Sequence, residues 1–108
     1  MTVKELCDFC SFDVINLADP DREVSGCYIG DLLSWVMGRA QEDNAWITIM
    51  SNVNVIAVAS LSDVSCVILA DGVTLDQDVK NTAVQKGINV LSSKKPIYET
   101  ALMLSGKV

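Results

Sequence analysis

Short apolar runs alternate with helical patterns over the carboxyl-terminal half of the chain. Trp46–Met50, Cys66–Ala70 and Ile88–Leu91 are predicted to be strands from their length and their content of β-branched and other apolar side chains. The mostly apolar run Asn54–Leu61 shows no clear period. However, the strand at Cys66 begins sixteen positions after Met50, and a gap of this length suits a crossover through one helix. We therefore predict a helix over Asn54–Leu61.

Two more helices are indicated by their start and stop signals. Thr74 and Gln77 have capping-box spacing, apolar residues recur one turn apart after them, and Gly87 supplies a stop. Pro96 is tolerated in a first helical turn and begins the last predicted helix. That helix is expected to bury Ile97, Ala101, Leu102 and Leu104.

The amino-terminal half contains shorter elements. Thr2 and Glu5 also have capping-box spacing and predict a helix through about Ser11. Asp13–Leu17 then predicts a short strand, which the turn residues Asp19–Asp21 close.

A second helix of this half follows a short extended piece at Tyr28–Ile29. Asp31 is the expected N-cap of this helix, which runs through about Gln41. Its apolar positions recur near a 3.6-residue period and predict one buried face, formed by Leu32, Leu33, Val36, Met37 and Ala40.

The order of elements from residue 45 onward predicts an α/β fold with a mainly parallel sheet and right-handed crossovers. Half of the residues are apolar but only 6% are aromatic, so the core must consist mainly of aliphatic side chains. This composition is typical of a parallel sheet covered on both faces. No repeat or linker interrupts the pattern, and we expect a single domain over residues 1–108.

Composition and charge exclude several classes of function. The net charge is −6 and the only adjacent basic pair is Lys94–Lys95, so nucleic acid is not an expected partner. No apolar run approaches membrane-spanning length and the amino terminus lacks signal-peptide features, which predicts a cytoplasmic protein without membrane contact. The four cysteines are then expected to be reduced thiols.

Catalytic motifs are missing from the sequence. The chain has no histidine, no Gly-x-Ser-x-Gly elbow and no phosphate-binding Gly-x-x-x-x-Gly-Lys-[Ser/Thr] loop. Asp76 and Asp78 fall in a predicted first helical turn, where carboxylates complement the helix dipole. These observations predict a protein without catalytic residues and without a cofactor.

Cys7 and Cys10 have the spacing of a redox pair or of half a zinc site. A redox pair of this kind follows a strand, however, whereas these cysteines lie inside a predicted helix. A zinc site within one chain would need Cys27 and Cys66 as well. Structural thiols are the favoured interpretation, and a metal-binding or redox protein using Cys7 and Cys10 is the alternative.

Polar residues follow the predicted strands, where ligands of parallel sheets bind. We expect a candidate ligand site there, without a metal, formed by Gly30, Asp31, Thr48, Ser51, Asn52, Asn54, Asp71, Gly72, Ser92 and Ser93. A second interpretation is structural, with Asp31 and Asn54 as N-caps and Asp71–Gly72 as a turn. The two interpretations overlap, because a helix cap that faces a cleft can also contact a ligand.

Several segments together resemble one family, the DRTGG domains. They occur in the family's order over about residues 2–106, and comprise Asp21–Gly26, Gly30–Ser34, Trp46–Thr48, Asn54–Ala59 and the last three elements. One departure is that Asp21 and Arg22 are followed by Glu23, Val24, Ser25 and Gly26 instead of Thr-Gly-Gly. No role of a Thr-Gly-Gly peptide is therefore transferred.

The resemblance implies a three-layer α/β sandwich like the amino-terminal domain of bacterial HPr kinase/phosphorylase. It also implies a regulatory or assembly module that pairs as a homodimer. Our hypothesis is a bacterial, non-enzymatic module that senses a small anionic or nucleotide-like ligand and acts through contacts with a protein partner.

Overall fold

One five-stranded sheet lies at the centre of the molecule, and the computed structural model describes all residues from 1 to 108. The strands are β1 (Asp13–Asn16), β2 (Cys27–Ile29), β3 (Ala45–Thr48), β4 (Cys66–Leu69) and β5 (Val90–Ser92). Their order across the sheet is β1-β5-β4-β3-β2. The strands β2, β3, β4 and β5 are parallel to one another, and β1 pairs antiparallel with β5.

Five helices cover the two faces of this sheet. They are α1 (Val3–Cys10), α2 (Leu33–Arg39), α3 (Val53–Ser62), α4 (Gln77–Lys86) and α5 (Ile97–Leu104). One buried cluster contains side chains of α2, α3 and α4 together with Trp46, Val67 and Val90 of the sheet. A second cluster contains side chains of α1 and α5 together with Ile47 and Ile68. The fold therefore has three layers, with α2, α3 and α4 on one face and α1 and α5 on the other.

The central strands β3 and β4 are completely buried. All eight of their residues have no accessible surface, and alternate side chains enter the two clusters. This explains why their sequences show no polar alternation, since neither face meets water. The predicted α/β class, the mainly parallel sheet and the helical assignment of the run after β3 are confirmed.

The predicted capping box of the first helix is confirmed. The Glu5 backbone N–H donates to Thr2 Oγ1 at 3.1 Å, and the Thr2 backbone N–H donates to Glu5 Oε1 at 2.9 Å. The predicted stop at Gly87 is also confirmed, since this residue ends α4 with a φ of 66°.

Three predicted helix starts are wrong. Asp31 does not cap α2, whose N-cap is Leu32 and has no side-chain cap. Asn54 does not cap α3, because the helix begins earlier and Asn52 accepts the capping hydrogen bond from the Asn54 backbone N–H at 2.9 Å. Thr74 does not open α4, which begins after Asp76 and lacks a side-chain cap. The observed N-caps lie one or two positions from the predicted ones, a difference that residue type and spacing alone do not resolve.

Two predicted buried faces are also partly wrong. Of the five apolar positions assigned to the α2 face, only Val36 is fully buried, whereas Leu32 and Met37 are more than half exposed. In α5, Leu104 is buried as predicted, but Leu102 is 53% exposed and Thr100 occupies the core instead. The Thr100 hydroxyl can be buried there because it forms hydrogen bonds with the Ser93 hydroxyl and the Lys95 carbonyl.

None of the helices combines the length and the apolar character that crossing a membrane requires.

The corrected N-cap of α3 gives a prediction with a matched control. Asn52→Ala removes the side-chain oxygen that caps the helix and should lower the free energy of unfolding by about 0.5–2 kcal/mol. Asn54→Ala, two positions later on an exposed helical turn, should change it by less than about 0.5 kcal/mol. Urea unfolding of both variants measures the difference, and equal losses would contradict the assignment.

Candidate functional site

The predicted ligand-binding residues lie together at one edge of the sheet, in the loops that follow β2, β3, β4 and β5. We call this region the carboxyl edge. Near β2 and β3, Thr48 Oγ1 donates to Asp31 Oδ1 at 2.7 Å, and the Ile49 backbone N–H donates to the same oxygen at 3.1 Å. Asp31 thus ties the loop after β2 to the end of β3, which explains why its carboxylate is not free to cap α2.

Gly30 is part of the same connection. Its carbonyl accepts a hydrogen bond from Trp46 Nε1 at 2.9 Å, and its backbone N–H donates to the Ile47 carbonyl at 3.2 Å. These bonds fix the chain where it leaves β2.

A second set of bonds closes the loops after β4 and β5 against each other. The Asp71 and Gly72 backbone N–H groups donate to the carbonyls of Lys95 and Ser93 at 2.9 and 2.8 Å. Ser92 Oγ donates to the Val73 carbonyl at 3.1 Å. Asp71 and Gly72 both have positive φ angles, as expected for the predicted turn.

Most of the predicted site residues therefore make bonds within the chain. Thr48, Ser92 and Ser93 are buried. The side chains that remain without a hydrogen-bond partner are those of Ser51, Asn54 and Asp71, and they are exposed or half-exposed. The structure brings the predicted residues to one edge but shows no cavity among them, and their role in ligand binding stays a prediction.

The larger of two concave regions lies beside the edge strand β2. This β2–α5 groove has a volume of about 250 Å³ and is mainly apolar. It is lined by Cys27 and Ile29 on the strand side and by Ala101, Leu104, Ser105, Gly106 and Val108 on the helix side. It runs along the outer flank of the sheet, beside β2.

The second concave region is a polar cavity of about 130 Å³ at the opposite edge, where β4 and β5 begin. Its charged and amide side chains belong to Asp19, Arg22, Asp63, Lys86 and Asn89. We call it the Arg22 cavity.

Arg22 holds this edge together through a cluster of short bonds. Its Nη2 atom donates to Asp43 Oδ1 at 3.0 Å, to Asp63 Oδ1 at 2.9 Å and to the Asp63 carbonyl at 2.6 Å. Burial lowers the pKa of the guanidinium, but the bonds to Asp43 and Asp63 outweigh this and raise the pKa above its usual value. Asp63 is the C-cap of α3, so the cation also complements the negative end of that helix.

Sequence reasoning did not identify this cluster. Asp43 and Asp63 have φ angles of 67° and 54°, a left-handed conformation that aspartate adopts more readily than most residues. The sequence contains one indication of the cluster, because Asp21 and Arg22 belong to a segment that resembles the DRTGG domains. The nearby Asn89 side chain completes the edge by bonding Asp19 and the Ser65 carbonyl.

The cysteines lie in the core or the groove. Cys7 donates to the Phe12 carbonyl at 3.2 Å and Cys10 is buried against α5, and burial raises the pKa of both thiols. No group of three or more metal-ligating side chains occurs in the structure. Desolvation in the β2–α5 groove raises the pKa of the Cys27 thiol to about 11, although the residue as a whole is exposed. Thiols with raised pKa values are poor nucleophiles, and nothing in this geometry favours the metal or redox alternative.

The Arg22 cluster should contribute measurably to stability. Arg22→Met leaves two carboxylates and the end of α3 without their cation, and should lower the free energy of unfolding by about 2 kcal/mol. Arg22→Lys should recover only part of this, because an ammonium cannot reproduce the guanidinium fork. Lys4→Met, which removes the exposed pair of Lys4 with Asp8, serves as the control and should have little effect. An equal loss in the Lys4 and Arg22 variants would contradict this role.

The buried Cys66 thiol predicts a loss of stability at alkaline pH. Burial raises its pKa from 9.0 to about 12. Between these values the unfolded chain loses the proton and the folded chain keeps it, so the free energy of unfolding falls as pH rises. Urea unfolding between about pH 9 and about pH 11 should show a steeper fall in the wild type than in Cys66→Ala, by up to about 1.4 kcal/mol per pH unit. Parallel curves would contradict it.

The architecture of this chain is shared with a solved structure. No curated protein sequence matches this chain significantly. A crystal structure of the CBS and DRTGG domains of the regulatory region of Clostridium perfringens pyrophosphatase, complexed with the activator diadenosine tetraphosphate, matches with a TM-score of 0.77. The two sequences are 13% identical, and the match covers 95% of this chain and 45% of the other. This chain therefore corresponds to less than half of that structure, and the likeness at this identity shows the fold.

The DRTGG family model matches residues 13–106, a range that includes the Arg22 cluster and all four strand ends of the carboxyl edge. Since this range is most of the sequence, the chain belongs to the DRTGG domain family.

Proposed function

We propose that this chain is a regulatory module without chemistry of its own, which responds to a small anionic or nucleotide-like ligand and acts through protein contacts. Family membership supports the proposal, because the related pyrophosphatase structure carries a DRTGG domain in its regulatory region. The observation that carries it is an exposed apolar surface around α2.

This α2 surface consists of large side chains that a single core would normally bury. They lie at the start of α2 and along it, in the loop after β3 and at the first residue of α3, and each is between 40% and 59% exposed. The residues are Leu32, Trp35, Met37, Ile49 and Val53. Asp31 links the loops that carry Leu32 and Ile49, so these parts of the surface are neighbours.

Trp35 gives the α2 surface the character of a binding surface. The Arg39 guanidinium lies 3.8 Å from the centre of the Trp35 ring, which holds the indole in place while half of it stays exposed. Tryptophan and arginine are the residues most enriched at the energetic centres of protein interfaces. A neighbouring set of exposed apolar side chains of this kind marks an interaction surface.

The ligand part of the proposal uses the carboxyl edge. The Ser51 hydroxyl and the Asn54 side-chain amide are free of internal hydrogen bonds there, and both can donate to phosphate oxygens. Neither concave region of the chain reaches the roughly 300 Å³ at which small-molecule pockets begin. We therefore propose that a nucleotide-sized ligand binds the carboxyl edge of the isolated chain through its phosphate groups, and that the protein which the module regulates covers the rest of the ligand.

Ligand binding can be tested on the isolated chain by thermal unfolding with ATP, AMP and diadenosine tetraphosphate. One of these should raise the melting temperature, since a ligand that binds only the folded state stabilises it. Asn54→Ala should reduce that rise while leaving the melting temperature of the ligand-free protein nearly unchanged. Asn81→Ala, on the exposed side of α4, is the matched control and should keep the full rise.

The same samples test the absence of chemistry. No phosphate should be released from ATP in the highly purified protein. Release that a substitution at the carboxyl edge abolishes would overturn the non-enzymatic part of the proposal. If none of the three compounds shifts the melting temperature, the ligand part is wrong.

A further inference from the structure

The outer side of β2 carries backbone groups without hydrogen-bond partners. The Gly26 carbonyl and the Gly30 N–H both bond β3, and directions alternate along a strand, so Tyr28 also faces β3. The N–H and carbonyl groups of Cys27 and Ile29 therefore point away from the sheet. No loop, helix or side chain of the chain bonds them, and β2 ends the sheet on that side.

This open edge is only three residues long, and short length is one protection against strand pairing. It lacks the side chains that protect many exposed edges, which are lysine, inward-pointing charges and proline. From Val24 to Gly30 the chain has seven consecutive uncharged residues and no proline, although 20% of all residues are charged. The opposite edge strand, β1, begins with the charged Asp13 and ends with Asn16. The two edges thus differ, and only the one at β2 is free of charge.

We propose that β2 pairs antiparallel with β2 of a second copy of this chain, about a two-fold axis at Tyr28, to form a continuous ten-stranded sheet. In this register Cys27 of each copy lies opposite Ile29 of the other. An opposed pair whose groups point at each other exchanges two hydrogen bonds. Two such pairs give four bonds, which satisfy every outward backbone group of Cys27 and Ile29 in both copies.

Other registers satisfy fewer of these groups. An axis at Cys27 would place Cys27 opposite Cys27 of the second copy, and Ile29 would then lie opposite a residue outside the strand. An axis at Ile29 would leave Cys27 in the same position. An isologous contact of this kind needs a self-complementary surface. Strand β2 meets this requirement for an axis at Tyr28. The backbone groups of Tyr28 face β3, and those of Cys27 and Ile29 on either side of it face outward.

Apolar side chains flank the proposed axis on both faces of the sheet. Cys27 and Ile29 line the β2–α5 groove on one face, and the α2 surface lies near the other. A standard interface covers roughly 800 Å² of each partner, about a seventh of the 5510 Å² accessible surface of this chain. The uncharged strand at the centre also keeps the net charge of −6 away from the closest contact.

The pairing rests on the proposed function only in that it supplies one of the protein contacts of the module. It needs no ligand, so the two can fail separately. A chain that pairs but shows no thermal shift would overturn the ligand part alone, and a monomeric chain that still binds a nucleotide would overturn the pairing alone.

A cysteine placed on the axis tests the register directly. Opposed residues whose backbone groups point away from each other have Cα atoms about 4.5 Å apart, within the range of a disulfide. Tyr28→Cys in a Cys27→Ser background should therefore form a covalent dimer of the 108-residue chain under mild oxidation. Leu61→Cys in the same background is the control, because Leu61 is 74% exposed on α3, and it should remain largely monomeric.

Sedimentation at tens of micromolar tests the pairing without a crosslink. The wild type should sediment as a dimer, Ile29→Lys as a folded monomer, and Val84→Lys, altered on the exposed side of α4, as a dimer. Circular dichroism confirms that the variants are folded. A wild type that sediments only as a species of 11.7 kDa would overturn the proposal. So would a dimer that Ile29→Lys leaves intact, or equal crosslinking of the Tyr28→Cys variant and the Leu61→Cys control.

Discussion

Burial of β3 and β4 on both faces is the constraint on which the rest of the structure depends. Their eight residues have no accessible surface, and their side chains alternate between two separate clusters. Polar side chains have no place within these strands except Thr48, which bonds Asp31 as its strand ends. The polar groups that the sheet itself carries are therefore confined to its margins, where the backbone groups must find their own partners.

The carboxyl edge and the opposite end of the strands satisfy their backbone groups in different ways. At the carboxyl edge, backbone donors in the loop after β4 bond carbonyls in the loop after β5, and Asp31 joins the loops after β2 and β3. At the opposite end, the Arg22 guanidinium bonds Asp43 and Asp63, and both of these residues have a left-handed backbone conformation. The flank at β2 is the exception, since its outward groups have no partner within the chain.

How much of this the sequence predicts depends on the range of the interactions involved. The strands, the run after β3 and the capping box of α1 follow from patterns within a few residues, and these predictions hold. Asp31 and Asn54 were assigned as caps because their residue types suit the role. Asp31 instead bonds a strand end seventeen positions away, and Asn52 takes the cap of α3. The Arg22 cluster spans up to 41 positions and only three side chains, so no local period could reveal it.

The proposed pairing constrains how the module could transmit a signal. About a two-fold axis at Tyr28 the paired β2 strands run in opposite directions, so the two carboxyl edges of the ten-stranded sheet lie at opposite ends. A ligand at one carboxyl edge then cannot contact the other directly. Gly30 and Asp31, however, connect β2 to the end of β3 within the same bonded segment. In the proposed pair, the path of contacts from one carboxyl edge to the other therefore runs through Gly30, Asp31 and the paired β2 strands.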